Sequence, residues 1–227
     1  MDRVDAYLAF AQQHPEMFVN PPGGFTILLD KEEIRAVEEQ VAQWLTAREM
    51  PADWAQVGIA FQDQYGLILR DAVQFPNGFR GTYNRFTSEI ETGPGVVALP
   101  RYREQVLLIR HFRHATRAWH LEVPRGFGIK GLSTEESVLA ELDQEIEAKV
   151  SRLVPLGRVH TNTGAGSDAP ELFYAEVESY GNVEEAEGIT ELLPTSVTTF
   201  EAMIRDHQIT DGFTVAAYVR AKLKGLL

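Results

Sequence analysis

There is no cysteine in the 227 residues. That excludes disulfides, thiolate nucleophiles and cysteine-ligated zinc, and it fits a reducing compartment. Basic residues are also scarce: 21 Lys and Arg stand against 33 Asp and Glu, for a formal charge of −12. A nucleic-acid backbone is repelled by such a surface, because phosphate binding needs clustered cations. A small anion is still admissible where a cation or a local arginine group offsets the field. No apolar run approaches the roughly 20 residues that span a bilayer. The opening MDRVDAYLAFAQQHPEMF also lacks the apolar centre of a secretion signal. The expectation is a cytoplasmic protein with neither membrane nor nucleic acid as a partner. Apolar content is ordinary, so a real core is expected.

Helical spacing runs over Asp5–Gln13 and, after the capping residue Asp30, from about Lys31 to Arg48. From residue 57 the pattern changes. Val57–Phe61, Leu67–Val73 and Arg80–Phe86 read as strands, and Phe75-Pro76-Asn77-Gly78 supplies a hairpin turn. Val96–Leu99, Gln105–Arg110, Leu153–Val159 and Leu172–Val177 are further strands. Thr161–Pro170 and the acidic Glu184–Gly188 read as loops, and a helix over Thr214–Leu223 closes the chain. Intermixed strands and helices predict an α/β (α+β) fold.

The most informative stretch is WHLEVPRGFGIKGLSTEESVLAELDQEIEA, Trp119–Ala148. A strand ends at Pro124-Arg125-Gly126 and a glycine-marked loop follows. Ser133 and Glu136 then have the spacing of a capping box, so a helix starts at Thr134. Val138, Leu142, Ile146 and Lys149 share its apolar face, widened by Leu139 and Val150. Glu141 and Glu145, at i and i+4, stack beside that face. Two stacked carboxylates repel unless a cation lies between them, and hard cations such as Mg²⁺ take oxygen ligands. The alternative for such a pair is a solvated acidic face.

These residues resemble a Nudix box, G-x5-E-x7-R-E-U-x-E-E-x-G-U with U aliphatic. With Gly126 on the first glycine, Glu141, Leu142 and Glu145 match, whereas Leu132, Ala140, Gln144 and Glu147 depart. The flanks resemble the ADP-ribose pyrophosphatase branch of that superfamily. Val106–Arg113 is similar to its strand ending in an arginine turn, and Trp119–Gly126 to its W-x-L-E-x-P-x-G lead-in. Leu156–Gly164, Glu185–Ile189 and Gln208–Thr214 are similar to its later segments.

The resemblance implies a Nudix-type α/β/α sandwich with a mixed sheet over 91–227. An N-terminal helical extension (1–50) and an antiparallel strand region (51–90), the latter dimer-forming, would precede it. It implies hydrolysis of a diphosphate linkage in an ADP-ribose-like nucleoside diphosphate derivative, with Mg²⁺, or Mn²⁺, as cofactor. Glu141, Glu145 and the carbonyl of Arg125 would hold the metal. Glu187, or else Glu185, would be the base, and Arg113 would contact the substrate. The bland counterparts are a solvated turn at 183–187 and a charge-balancing strand end at Arg113. His120 and His160 read as hydrogen-bonded surface residues. Members of the branch form homodimers; Tyr65, Phe75, Phe79 and Tyr83 would serve such a contact, or ordinary packing. The four departures also admit a Nudix-fold protein of impaired catalysis that binds a nucleotide-like ligand or a protein partner.

Overall fold

The computed structural model describes residues 2–88, 92–160 and 162–227. The expected boundary between 90 and 91, and the start of the loop at Thr161, lie outside the described residues. The chain forms two compact units, one from 2–88 with Gly164–Ser167 and the other from 92–160, 162–163 and Asp168–Leu227.

The first unit pairs helices α1 (Arg3–Gln13) and α2 (Lys31–Thr46) with strands β1 (Thr26–Ile27), β2 (Gly58–Gln62), β3 (Leu67–Gln74) and β4 (Arg80–Thr87). All pairings in its sheet are antiparallel, with β3 bonded to the other three. Asp30 caps α2, its side chain accepting from the amides of Glu32 and Glu33. The expected hairpin joins β3 to β4. Gly78 takes φ +85° in the turn, and the Asn77 side chain accepts from the Phe79 amide at 3.0 Å. Val4, Tyr7, Ile34, Val37, Leu67 and Leu69 fill the core. Asp71 is buried with them and is satisfied by the Tyr7 hydroxyl at 2.6 Å and the Arg85 guanidinium. A buried carboxylate persists only when paired in this way. Phe75 packs on Phe79 and Phe25, and Phe25 also meets Tyr83. Tyr65 and Phe79 are largely exposed.

The second unit carries β5 (Val96–Tyr102), β6 (Gln105–Arg113), β7 (Ala118–Glu122), β8 (Arg125–Gly126), β9 (Lys149–Arg158), β10 (Glu171–Ser179) and β11 (Ile189–Ser196). Its helices are α3 (Thr134–Ile146), α4 (Val197–Arg205) and α5 (Gly212–Leu223). The sheet order is β11-β6-β5-β10-β9, with β5 and β10 parallel and the other neighbours antiparallel. α3 covers one face through Val138, Leu142 and Ile146. Phe200 of α4 and Ala217, Tyr218 and Ala221 of α5 cover the other. This is the mixed α/β architecture anticipated, with helices on both faces of a mixed sheet. Among the described residues no helix is long and apolar enough to cross a membrane.

One irregularity in this sheet positions the site. β5 and β6 pair only at Arg101↔Val106 and Tyr102↔Gln105. Beyond that they separate, β7 running along β6 and β8 along β5. The buried Val123-Pro124 link joins the two, and its Pro124 carbonyl is tied to the Ala98 amide at 3.0 Å. The open end of the sheet is thus lined by Glu122 and Arg125.

Helix α3 starts as expected. Ser133 accepts from the Glu136 amide while the Glu136 carboxylate accepts from the Ser133 amide. It ends earlier than its periodicity implies. Glu147 adopts a left-handed conformation, φ 49°, and the chain turns there, so Lys149 and Val150 open β9 instead of extending the helix. Leu139 is 40% exposed and does not widen the buried face. α2 likewise stops at Thr46, and α5 begins at Gly212 behind the cap Asp211.

Glu147 stands where the resembled pattern has glycine, and its backbone explains why. An L-residue pays about 1–2 kcal/mol for the left-handed region, which glycine enters freely. Its carboxylate offers only a long bond, 3.3 Å, to the Asn182 amide in return. Glu147→Gly is therefore expected to raise stability by about 1 kcal/mol, read as a higher urea midpoint at unchanged m-value.

Candidate functional site

Glu145 lies on the buried side of α3, 0% exposed, and not beside it as its place in the periodicity suggested. Neither of its carboxylate oxygens has a hydrogen-bond partner among the described residues. One turn earlier, the half-buried Glu141 carboxylate lies against Gly126, where a Cβ at position 126 would collide with it. That contact demands glycine there. It also brings Glu141 next to the peptide unit whose carbonyl belongs to Arg125. Of the expected metal residues, the structure therefore brings Glu141 and Glu145 together and sets Glu141 beside the Arg125–Gly126 peptide.

Glu187 belongs to a one-turn 3-10 helix, Glu185–Glu187, and not to an irregular loop. Its carboxylate accepts from the Gln144 side-chain amide at 2.7 Å. The segment is held to the end of α3 by backbone bonds, Glu184 N to Glu145 O and Gly181 N to Ile146 O. Gln144, a departure from the resembled pattern, thus becomes a positioning group. Glu185 is exposed, with its carbonyl accepting from the Gly188 amide.

Arg113 is bonded to Glu122 through Nε at 2.7 Å and through Nη2. His111 Nδ1 stands 3.4 Å from the same oxygen, a long contact and not an aligned hydrogen bond, and Arg125 Nη2 is 3.6 Å from the other. Glu122 was visible in the sequence only as part of the strand lead-in, and its role as the hub of this network was missed. The signal available was a glutamate two residues before a buried Pro124 in an otherwise apolar run.

The site holds three carboxyl groups in three proton-binding states. Burial alone would raise Glu122, but its contacts with His111 and Arg113 and the charge of Arg125 prevail and hold it down at about 2. Burial and the charge of Glu187 push Glu141 up to about 7, with Arg113 opposing. Burial and the charge of Glu141 push Glu145 up to about 9, again against Arg113. An unpaired carboxylate in low dielectric must take a proton or a cation. The donor set fits a hard divalent ion: two carboxylates, with backbone and water oxygens left to complete the shell. Among the described residues no group of three or more His, Cys, Asp or Glu side chains converges as a ligand cluster.

His120 is hydrogen-bonded, as expected, its Nε2 2.7 Å from the Thr116 hydroxyl.

No protein-family model matches the chain. It is similar to the ADP-ribose pyrophosphatase of Bacillus subtilis (strain 168), with 24% identity over 161 residues, 68% of this chain and 84% of the relative. A solved structure of an ADP compounds hydrolase superposes with a TM-score of 0.64 at 18% identity, covering 76% of this chain and 95% of the other. At that identity the likeness is one of fold.

The proton affinities give a pH dependence. Glu141 and Glu145 hold protons in the folded state that the unfolded chain, with carboxyls near 4.5, releases. In chelator, stability should therefore fall as pH rises from about 4.5 through about 7 and towards about 9. Between pH 6 and pH 9 the melting temperature should drop by about 10 °C, corresponding to on the order of 4 kcal/mol. Glu145→Gln should remove most of the drop, as scanning calorimetry would show; an equal drop in the variant would contradict the assignment.

Proposed function

We propose that the protein is a Mg²⁺-dependent hydrolase of the Nudix type that cleaves the diphosphate of an ADP-ribose-like nucleoside diphosphate derivative. The observation that carries this reading is the buried, unpartnered Glu145 stacked on Glu141, against the glycine that opens the box. The names of the similar proteins support the substrate class. Glu141, Glu145 and the Arg125 carbonyl would hold Mg²⁺, or Mn²⁺ in its place. The bound ion would offset phosphate charge and lower the pKa of a coordinated water.

The remaining work falls to side chains of the chain itself. Glu187, steadied by Gln144, takes the proton of the attacking water; Glu185 is the second candidate. As the water oxygen bonds to phosphorus, the bridging P–O bond breaks and the leaving phosphate carries off the electron pair. Arg113 offers a guanidinium suited to diphosphate oxygens. Its bond to Glu122 fixes the planar group in advance, which lowers the entropy cost of binding.

A second reading, a Nudix-fold binder with little turnover, is favoured by one feature: Leu132 and Gln144 stand at glutamate positions of the box and leave only Glu141 and Glu145 as its carboxylates for the ion. The homodimer belongs to the first reading and is supported by the exposure of Tyr65 and Phe79.

ADP-ribose and Mg²⁺ are expected to give AMP and a sugar phosphate. Glu187→Gln should lower kcat by about 10²–10⁴-fold with KM little changed, and Glu145→Gln should abolish the Mg²⁺-induced rise in melting temperature. Wild-type binding without product would favour the second reading.

A further inference from the structure

The residues that open α5, Asp211-Gly212-Phe213-Thr214, lie across the sheet from α3, and helix capping alone does not account for them. Asp211 caps the helix, its Oδ2 accepting from the Thr214 amide at 2.8 Å. That bond needs only a main-chain amide at position 214. The side chain there is a threonine, β-branched and a poor helix former, and it is fully buried. Its hydroxyl donates to the same Asp211 oxygen at 2.7 Å and accepts from the Val123 amide at 3.0 Å. A hydroxyl has one proton to give. Spent on Asp211, it leaves a lone pair turned to Val123. We propose, on the metal-dependent reading of the acidic pair, that Thr214 and Asp211 are positioning residues for the Arg125 carbonyl, the main-chain ligand assigned to Mg²⁺.

That carbonyl needs support from outside its own strand. β8 is two residues long and, among the described residues, pairs with β5 alone, Val97↔Arg125 and Val96↔Gly126. The Ala98 amide donates to the Pro124 carbonyl at 3.0 Å. Bonded and non-bonded pairs alternate along an antiparallel ladder. Ala98 and Pro124 set the phase, so Arg125 falls in a non-bonded pair and its carbonyl is turned off the β5 ladder, open to a cation. Its direction is then fixed by the chain on either side. Gly126 is held against Val96. Pro124 has a locked φ and restricts Val123 before it. With the Val123 amide bound to Thr214 and the Pro124 carbonyl bound to Ala98, the peptide leading into Arg125 has little freedom left.

The same helical turn holds the Arg125 side chain. The guanidinium carbon lies 5.2 Å from the centre of the Phe213 ring. Nη2 stands 3.6 Å from Asp211 Oδ1 and 3.6 Å from Glu122 Oε2, ion-pair distances too long for hydrogen bonds. Asp211 thus uses both oxygens, one to orient the Thr214 hydroxyl and one to draw in Arg125. The two holds bracket Pro124, one on the Val123 main chain and one on the Arg125 side chain. A shift of this segment would carry Gly126 with it, against the Glu141 carboxylate that fills the space of its missing Cβ. Groups that stand behind a metal ligand and set its orientation commonly govern metal affinity by about 10–100-fold.

The test reads metal binding apart from turnover. Mn²⁺ is titrated into the full chain and the free ion followed by electron paramagnetic resonance; the site's share of binding is the part lost in Glu145→Gln. Thr214→Val and Asp211→Asn are each expected to weaken that share by about 10-fold. Thr214→Ser keeps the hydroxyl and should bind as the wild type does. Ala221→Gly loosens the far end of the same helix and should leave Mn²⁺ binding unchanged. Thermal melts check folding; should Thr214→Val not fold, Asp211→Asn decides, since asparagine still caps a helix. In parallel, ¹³C carbonyls on arginine and ¹⁵N on glycine give signals from Arg80-Gly81 and Arg125-Gly126, told apart by Arg80→Lys. The Arg125 signal should move with Mg²⁺ in the wild type. Unchanged binding in folded Asp211→Asn or Thr214→Val, a loss in Thr214→Ser equal to that in Thr214→Val, a matching loss in Ala221→Gly, or an Arg125 signal indifferent to Mg²⁺ would each overturn the proposal. Wild-type protein that binds Mn²⁺ yet leaves ADP-ribose uncleaved sinks the hydrolase reading and not this one; wild-type protein that binds no Mn²⁺ sinks both.

Discussion

The second unit is organised around two stacked carboxyl groups whose charges oppose one another, Glu145 fully buried and Glu141 half-buried. Glu145 and Glu141 are stacked on one helix, and among the described residues the basic group that acts on both is Arg113, already bonded to Glu122. Hydrophobic burial of α3 holds the pair in place, and the pair in turn loads α3 with an unmet electrostatic demand. Proteins keep such arrangements at sites where an incoming charge resolves them. The three carboxyls of the site share one neighbourhood yet differ widely in proton affinity, because only Glu122 has its own guanidinium and imidazole contacts.

The sheet makes this possible by coming apart. Had β5 and β6 stayed paired along their length, Glu122 would face a neighbouring strand. Their divergence after Arg101 and Tyr102 leaves room for β7 and β8, and the buried Val123-Pro124 link delivers Glu122, Arg125 and Gly126 to the gap. Gly126 then accepts the Glu141 carboxylate because it has no Cβ to displace it. The position of the box and the split of the sheet are parts of one geometric solution.

Much of this was readable in the residues. The capping box at Ser133 and Glu136, the Asp30 cap and the Asn-Gly hairpin each rest on local chemistry, and each is present. Elements whose identity depends on distant partners were missed. β11 contains Pro194 and alternates weakly, and it is a strand because β6 pairs with it from Gln105 to His111. β9 begins at Lys149, four residues before its apolar stretch, because β10 extends to meet it. The short α4 opens with β-branched residues that favour strands, and packing of Phe200 settles it as helix. At the site, the i,i+4 glutamates were visible in the periodicity, but the depth of Glu145 and the hub at Glu122 were not. Both depend on which surfaces the sheet brings against α3.

The end of α3 has a consequence of its own. Four bonds stitch the segment 181–187 to that last turn: Gly181 to Ile146, Asn182 to Glu147, Glu184 to Glu145, and Gln144 to Glu187. The candidate base therefore does not ride on an independent flap. Fraying of a single helical turn would carry Glu145 and Glu187 out of register at the same moment, so this corner fails as a unit and not group by group.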